Sequence, residues 1–285
     1  MITDAQVHLF EADSPSRPWP RDADRMAAPR AGFSAAEMLA EMDAIGVGRS
    51  VVVPPVWAGD ENDTALAAAR AHPGRFAVMG RFDPFAPRLR ERLEAQVTDP
   101  YLLGFRMSGR WGSGPVSFMD ALAEDDALED FWDACESLRV PVMCLTLQRP
   151  DVLEPVAERH PRLTLIVDHM AGVGPPTQDG AASVLRSLID LAGHSGVFVK
   201  VSGVPNRSRE AFPFADMHPV VRAIYDGFGP QRMIWAADIT QLTKNSYAEC
   251  LRVWQEGIPF LTAADKEAIL GGTAARALNW PETMD

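Results

Sequence analysis

The sequence predicts a (β/α)8 barrel, an α/β fold that forms a single domain over residues 1–285. Eight short apolar runs alternate with amphipathic helical stretches, which is the pattern of repeated strand–helix units around a parallel sheet. Eight such units within 285 residues fit a closed barrel better than an open doubly wound sheet. No Gly-x-Gly-x-x-Gly follows an early strand and no Walker A sequence occurs, which disfavours dinucleotide and nucleoside-triphosphate folds.

The predicted strands are near-continuous apolar runs. Residues 50–53 and 163–167 are examples, and such runs are typical of strands that are buried on both faces of a parallel sheet. Pro141, Pro161 and Pro230 lie at or just before the start of a run, where a preceding helix commonly stops. The eight predicted strands are 2–9, 50–54, 76–81, 102–107, 141–146, 163–168, 197–202 and 232–237.

Helix signals lie between these runs. Ser34 and Glu37 form a capping box, and Met38, Met42 and Ile45 continue it as an apolar face at helical spacing. The first helix is therefore predicted to begin after Ser34 and to end near Ile45. Further helices are predicted near 60–72, 87–97, 125–138, 150–160, 180–193, 216–228 and 245–256, with a final pair after 262.

The composition restricts the class of protein. A net charge of −12 argues against nucleic acid or an anionic membrane surface as a partner, and no run of about 18 apolar residues is present. Three widely spaced cysteines and the lack of a signal peptide predict a reduced, cytoplasmic protein. The long connection 11–33 is a candidate lid or homodimer interface. We expect the partner to be a small molecule, and an anionic one if arginines gather locally.

Polar residues at the predicted carboxyl ends of the strands mark the candidate site, since barrel active sites form there. Gln6 and His8 project to the same face of the first strand because strand side chains alternate. Gln keeps hydrogen-bonding capacity but is a poor ligand for a transition metal. Asp168 and His169 end the sixth strand, and Asp238 ends the eighth.

Asp238 is the leading candidate for a general base that activates water, with a cap on the following helix as the alternative. His169 would polarise a carbonyl or hold the water, unless it is a structural histidine satisfied by the Asp168 carboxylate. Arg106 would form a forked pair with a substrate carboxylate, or equally an ion pair with an acid of the barrel. For Lys200 the favoured interpretation is a structural ion pair. The weaker candidates for contact with the substrate are Arg110, Arg207, Asn206, Lys200 and Trp57.

Five segments carry a family resemblance that covers nearly the whole chain. They are Asp4-Ala5-Gln6-Val7-His8, Val167-Asp168-His169-Met170, Val199-Lys200-Val201-Ser202-Gly203, Ile234-Trp235-Ala236-Ala237-Asp238 and Gly271-Gly272-Thr273-Ala274-Ala275-Arg276. In order and spacing the sequence resembles the amidohydrolase-related branch of the amidohydrolase superfamily, especially the 2-pyrone-4,6-dicarboxylate lactonase group. The resemblance implies hydrolysis at a site made of Gln6, His8, His169 and Asp238, with Arg106 on a substrate carboxylate.

The sequence departs from that family at two metal ligands. The family's first-strand histidine is Gln6 here, and the run 141–146 lacks the fifth-strand histidine of metal-dependent members. With these ligands missing, the resemblance implies catalysis without an essential metal and without a cofactor. Should an ion such as Zn or Mn bind, its ligands would be His8, His169 and Asp238, and it would be held weakly.

The leading hypothesis is therefore a hydrolase that opens a lactone or a related cyclic ester of a carboxylated small molecule. In this hypothesis Asp238 activates water without an essential metal. The alternative enzyme is a metal-dependent, non-redox decarboxylase of an aromatic or unsaturated acid, as in another branch of the family. A third interpretation is a non-catalytic binding protein on the same barrel, against which the presence of Asp238 and His169 argues.

Overall fold

Eight parallel strands form the barrel, and each pairs with the next strand along the chain. This computed structural model describes residues 1–19, 32–56, 61–110, 117–124, 126–239, 242 and 244–280. The strands are β1 (Thr3–Val7), β2 (Arg49–Val52), β3 (Phe76–Gly80), β4 (Leu102–Met107), β5 (Val142–Cys144), β6 (Leu165–Val167), β7 (Val197–Lys200) and β8 (Met233–Ile234). Two backbone bonds join the two ends of the sheet: Ala5 N–H donates to the Trp235 carbonyl and Asp238 N–H to the Gln6 carbonyl, both at 3.1 Å. The predicted fold class is confirmed.

The described helices include every predicted one, and two further short helices, after β4 and after β7, were not predicted. They are α1 (Ala35–Ile45), α2 (Asp63–Ala71), α3 (Leu89–Gln96), α4 (Phe118–Leu122), α5 (Glu129–Leu138), α6 (Glu154–Arg159), α7 (Ala181–Asp190), α8 (Val204–Arg207), α9 (His218–Phe228), α10 (Tyr247–Arg252), α11 (Ala263–Glu267) and α12 (Thr273–Ala277). The Ser34 capping box forms as predicted, and Gly46 ends α1 in the left-handed conformation. None of these helices has the length and hydropathy that crossing a lipid bilayer requires.

Several strands are shorter than predicted, because the chain turns away from the sheet at the barrel mouth. β8 was predicted over 232–237, but only Met233–Ile234 pair in the sheet. After β6, His169 takes a φ of 53°, and after β8, Asp238 takes a φ of 58°. The left-handed region is costly for residues other than glycine, and such residues concentrate at functional sites.

The strand side chains alternate between an inner and an outer cluster. On β5 the inner residue is Met143, and on β6 it is Ile166. Their neighbours Val142 and Val167 pack outward in the larger cluster between strands and helices. This period of two explains why polar residues spaced by two along a strand share the inner face.

Of the predicted lid or interface segment, residues 20–31 lie outside the described residues. Its two described flanks meet in an antiparallel bridge, where Phe10 N–H donates to the Phe33 carbonyl at 3.1 Å and Phe33 N–H donates back at 2.8 Å. The lid and the homodimer interface therefore stay predictions.

Asp4 links β1 to the segment after β8 through hydrogen bonds. One of its carboxylate oxygens accepts hydrogen bonds from Gln6 N–H and Ala237 N–H, each at 3.0 Å. The side chain is fully buried, and this burial raises the pKa of Asp4 to about 7. Asp4 therefore holds the backbone of two segments that carry site residues.

Replacing Asp4 by Asn is expected to remove a pH dependence of stability. Because the folded pKa is raised from 3.8 to about 7, the native chain keeps a proton in this window that the unfolded chain has released. The stabilisation that the raised pKa of Asp4 gives to the folded state is therefore complete below pH 3.8 and is lost as the pH rises to about 7. Urea unfolding at pH 5 and pH 8 should show that the wild type loses more stability than Asp4→Asn between the two.

The exposed Asp190→Asn is the matched control, and it should follow the wild type at both pH values. If the stability of Asp4→Asn differs from that of the wild type by the same amount at pH 5 and pH 8, Asp4 is not the source of the pH dependence.

Candidate active site

A cavity of about 430 Å³ opens at the carboxyl ends of the strands. It is lined by Gln6, His8, Pro55, Val56, Arg106, Leu145, Leu147, His169, Gly203, Asn206, Arg207, Ala237 and Asp238. All four predicted catalytic residues lie in this wall, as do three of the predicted substrate contacts. A neighbouring cavity of about 340 Å³, which Trp19 and Asp63 help to line, shares Pro55 with it.

His8 is held by the backbone of the next strand. Its Nδ1 lies 2.7 Å from the Val53 carbonyl oxygen and donates to it, because a carbonyl can only accept. Its Nε2 then faces the Asp238 Oδ1 at 3.0 Å. A nitrogen lone pair and a carboxylate approach this closely only with a proton or a cation between them. The contact between His8 and Asp238 is therefore a place where positive charge is favoured.

Gln6 lies at the centre of the floor. The buried Lys200 ammonium donates to Gln6 Oε1, which fixes the orientation of the amide because an ammonium has no acceptor. The amide nitrogen then donates to Asp238 Oδ1 at 3.1 Å and lies 3.3 Å from His8 Nε2 and 3.4 Å from His169 Nε2. The NH2 group thus lies within 3.1–3.4 Å of one atom on each of these three side chains.

His169 presents its Nε2 to the same point. Its Nδ1 lies 2.6 Å from Ser202 Oγ. Two donor groups face its Nε2, from Gln6 and from the Arg106 guanidinium at 3.5 Å, so Nε2 carries the lone pair and Nδ1 carries the proton. Burial lowers the pKa of His169 to about 4, against the opposing charges of Asp238 and Asp168. The ring is therefore neutral near pH 7.

Asp238 completes the group. Its side chain is 15% exposed, and its second oxygen lies 3.9 Å from His169 Nε2. Burial alone would raise the pKa of Asp238, but the hydrogen bond with His8 and the nearby imidazole of His169 and guanidinium of Arg106 hold it well below its usual range. The carboxylate is therefore ionised and able to accept a proton or to bind a cation.

Asp168 lies beneath the site between two cations. One oxygen is 2.6 Å from Lys200 Nζ and the other is 2.7 Å from Arg106 Nε, and the carboxylate is fully buried. Burial favours the protonated acid, yet the charges of Lys200 and Arg106 hold the pKa of Asp168 well below its usual range. Arg106 therefore makes the ion pair that was one of its two predicted alternatives, while its guanidinium still lines the cavity.

The structure separates the predicted substrate contacts. Arg207 and Asn206 line the cavity, and Arg207 Nη1 donates to the Gly172 carbonyl at 2.9 Å. Arg110 is exposed outside the cavity wall, and Lys200 is fully buried below Gln6. Trp57 lies outside the described residues.

The sequence analysis gave no role to the groups that orient the two histidines, Ser202 and the Val53 carbonyl. Ser202 follows Lys200 at a spacing of two, so its inward direction was available from strand periodicity. The Val53 carbonyl gave no signal, because every residue has one. Asp4 was noted only as part of a motif, although an acid in an apolar strand indicates a buried role.

His8 Nε2, His169 Nε2 and the Asp238 carboxylate all face Gln6 at the mouth, and three ligands of N and O type are the usual protein share of a catalytic zinc site. These three side chains do not, however, bring three ligand atoms within 4.8 Å of one another, so they do not form a metal site as they lie here. Among the described residues, the group whose ligand atoms do lie that close is in the helical layer, where Glu129 and Asp133 on α5 approach His160 after α6.

Comparison with known proteins places the chain in a family. A sequence model of the family described as "Amidohydrolase" matches residues 3–280. The chain belongs to this family. It is 29% identical over 260 residues to an L-fucono-1,5-lactonase of Burkholderia multivorans (strain ATCC 17616 / 249), covering 86% of this chain and 85% of that protein. It is 27% identical over 241 residues to a 4-sulfomuconolactone hydrolase of Hydrogenophaga intermedia, covering 82% and 73% respectively.

A solved structure of a family member corrects the prediction about cofactors. The crystal structure of an amidohydrolase from Burkholderia multivorans with bound zinc superposes with a TM-score of 0.80 at 24% identity, covering 99% of this chain and 100% of that one. That zinc and the Glu129, Asp133 and His160 group contradict the prediction that no cofactor is bound. The error came from considering only the histidines of the strand ends, whereas the group that could hold a metal combines two acids of α5 with a histidine after α6. The family and hydrolase predictions are confirmed: the protein is a hydrolytic enzyme of the amidohydrolase family.

Proposed function

We propose that this enzyme hydrolyses the ester bond of a lactone that carries an anionic group. The observation that carries the proposal is the convergence of Asp238 and two histidines in a cavity whose wall also presents Arg106 and Arg207. The relatives named as lactonase and lactone hydrolase support the reaction. A cavity of about 430 Å³ suits a small ring.

The proposed reaction needs one proton acceptor beside the water. Asp238 takes a proton from the water as its oxygen forms a bond to the ester carbonyl carbon and the carbonyl electron pair moves onto oxygen. His169 and Gln6 hold the water and the developing oxyanion on the same floor. The ring C–O bond then breaks, and the leaving alkoxide takes the proton from Asp238. The product is an open hydroxy acid.

Should a divalent ion bind at the mouth, His8, His169 and Asp238 are the residues that would hold it, after moving closer together than they lie here. A divalent ion held there would polarise the ester carbonyl and lower the pKa of a water molecule at the site. Gln6 and Lys200 would position the ligands from below, and Asp168 would keep Arg106 and Lys200 in place. In this arrangement the ligands would hold the ion, the residues below them would orient the ligands, and Asp238 would move the proton.

The anionic group of the substrate would lie against Arg207 and Arg106. Within the described part of the chain, the Arg207 side chain donates one hydrogen bond, to the Gly172 carbonyl, while its buried Nε has no partner and the side chain lines the cavity. A guanidinium with N–H groups to spare can form a forked pair with a carboxylate. Leu145 and Leu147 form an apolar part of the same wall, which suits the ring itself.

Replacing Arg207 by Met is expected to raise the KM for a carboxylated lactone by about 10- to 100-fold, since a hydrogen bond to a charged group contributes about 1.5–3 kcal/mol. The value of kcat should change less, because Arg207 does not touch the atoms that react. Steady-state kinetics measure both constants. Arg110→Met is the matched control, because Arg110 is exposed outside the cavity wall. An unchanged KM in Arg207→Met would exclude the role.

The proposal is tested by acid release from a panel of carboxylated lactones, followed with a pH indicator. The enzyme is stripped with a chelator and then reloaded with zinc or manganese, and carbon dioxide is measured in parallel. Acid release without carbon dioxide supports lactone hydrolysis. Carbon dioxide as the product would instead support the decarboxylase alternative. The cytoplasmic location and the homodimer stay predictions.

A further inference from the structure

Two acids and a histidine meet in the helical layer, and none of them lines the cavity at the mouth. Glu129 and Asp133 lie four positions apart on α5, so their side chains share one face of the helix. His160 follows the last residue of α6. Its Nε2 lies 3.1 Å from Glu129 Oε1, and its Nδ1 lies 3.6 Å from Asp133 Oδ1. One ligand atom from each residue lies within 4.8 Å of the other two, which is close enough for the three residues to share one ion.

The His160 imidazole has a buried nitrogen that lacks a hydrogen bond. Its side chain is 2% exposed, and among the described residues no hydrogen bond reaches Nε2. Glu129 Oε1 is near, but it does not lie where a ring N–H would donate. A buried polar nitrogen without a partner is costly, whether it carries a proton or a lone pair. A metal ion on the lone pair satisfies the nitrogen, and two ligands of one tetrahedral zinc ion lie about 3.3 Å apart.

The backbone fixes the position of His160. Its N–H donates to the Val156 carbonyl at 2.9 Å, and its carbonyl accepts from Leu163 N–H at 3.0 Å. The same turn is joined to α5 by Arg162, whose backbone N–H donates to Glu136 Oε1 at 2.8 Å. The imidazole is therefore held against α5 before any ion binds, which lowers the entropy cost of binding one.

The charges around the histidine favour a divalent cation. Arg159 Nη2 lies 3.2 Å from Glu129 Oε2, which leaves the other Glu129 oxygen directed at the imidazole, and Arg159 Nη1 lies 3.6 Å from Asp126 Oδ1. With Asp133 included, three carboxylates accompany one guanidinium, and an ion of charge +2 balances the excess. The Asp133 side chain is 68% exposed, so it has room to turn toward the ion.

We propose that Glu129, Asp133 and His160 bind one divalent transition-metal ion, for which zinc suits an imidazole and two carboxylates best. Binding of the ion links α5 to the turn after α6. The cavity that Glu129 helps to line measures only about 60 Å³, which is too small for a substrate. The ion therefore stabilises the helical layer and takes no part in catalysis. This inference is independent of the reaction at the mouth.

The test is zinc binding to the full chain, stripped with a chelator and titrated by calorimetry. The wild type should bind zinc, and Asp133→Asn should bind it at least about tenfold more weakly, since even groups around the ligands of a metal site have effects of that size. Asp130→Asn is the matched control, because it removes the same charge from an exposed residue of α5 outside the group. Its zinc affinity should equal that of the wild type.

The urea midpoint of unfolding gives a second measurement. Because the ion binds the folded chain, the midpoint should rise with zinc concentration in the wild type and in Asp130→Asn, and much less in Asp133→Asn. His160→Gln should lose the zinc effect as well. Asp133→Asn decides the matter if His160→Gln does not fold, since the Asp133 side chain is mostly exposed.

Three results would overturn the proposal. A wild type that binds no zinc would leave the group as an ion pair between a protonated His160 and the two acids. An equal loss of affinity in Asp133→Asn and Asp130→Asn would mean that zinc responds only to the general charge of α5. Loss of zinc binding in Asp238→Asn but not in Asp133→Asn would place the ion at the mouth instead.

Discussion

Replacing Asp238 by Asn is expected to lower kcat for lactone hydrolysis by about 10²- to 10⁴-fold, the range over which a positioned proton acceptor contributes. The amide keeps the size of the side chain but cannot take a proton from water. It also places an NH2 group or a weaker acceptor at His8 Nε2, which now lies 3.0 Å from a carboxylate oxygen. Initial rates of acid release, with the variant at saturating substrate, measure the change.

Asp151→Asn is the control for this substitution. Asp151 also follows a barrel strand, but its side chain is 44% exposed and pairs with Arg149. Its kcat should equal that of the wild type. Full activity in Asp238→Asn would exclude the role of proton acceptor and leave Asp238 with its structural contacts, such as its N–H bond to the Gln6 carbonyl.

Replacing Asp168 by Asn is expected to lower the free energy of unfolding by about 3–5 kcal/mol, the cost of removing one partner of a buried ion pair. The substitution would leave Lys200 and Arg106 buried without their shared counter-charge. Because the pKa of Asp168 is held below its usual range, this stabilisation is present near neutral pH and is lost as the pH falls toward the folded value. Urea unfolding at pH 7 measures the loss.

An exposed pair of the same kind provides the comparison. Asp226 pairs with Arg222 on α9, and Asp226→Asn should cost about 0–1 kcal/mol. If Asp168→Asn also cost only about 0–1 kcal/mol, this would contradict the view that the buried carboxylate balances two cations.

The sequence predicted the architecture because the relevant signals are local. The α1 capping box at Ser34, the apolar runs and the spacing of Gln6 and His8 all depend on residues a few positions apart. Because active sites of barrels form at the carboxyl ends of the strands, Asp238 was then predicted to lie near them. A local signal was also overlooked: Ser117 and Asp120 form a capping box that begins α4, where no helix was predicted.

The rest depended on neighbours that are distant in the chain. Arg106 had two equal interpretations, and Asp168, which lies 62 residues further on, makes one of them a contact. The orientation of the Gln6 amide depends on Lys200, which is 194 residues away. The metal prediction was wrong because it counted histidines by strand, whereas a metal site depends on which atoms converge.

We expect this mouth to hydrolyse a lactone that it holds by its anionic group. The most direct measurement is kcat/KM of the metal-loaded enzyme for a carboxylated lactone and for the same lactone as its neutral carboxamide. We expect ring opening of both, with the carboxylate favoured by about tenfold or more, since a charge-assisted pair contributes about 1.5–3 kcal/mol. Equal values would contradict the anionic anchor, and carbon dioxide in place of a hydroxy acid would contradict the reaction itself.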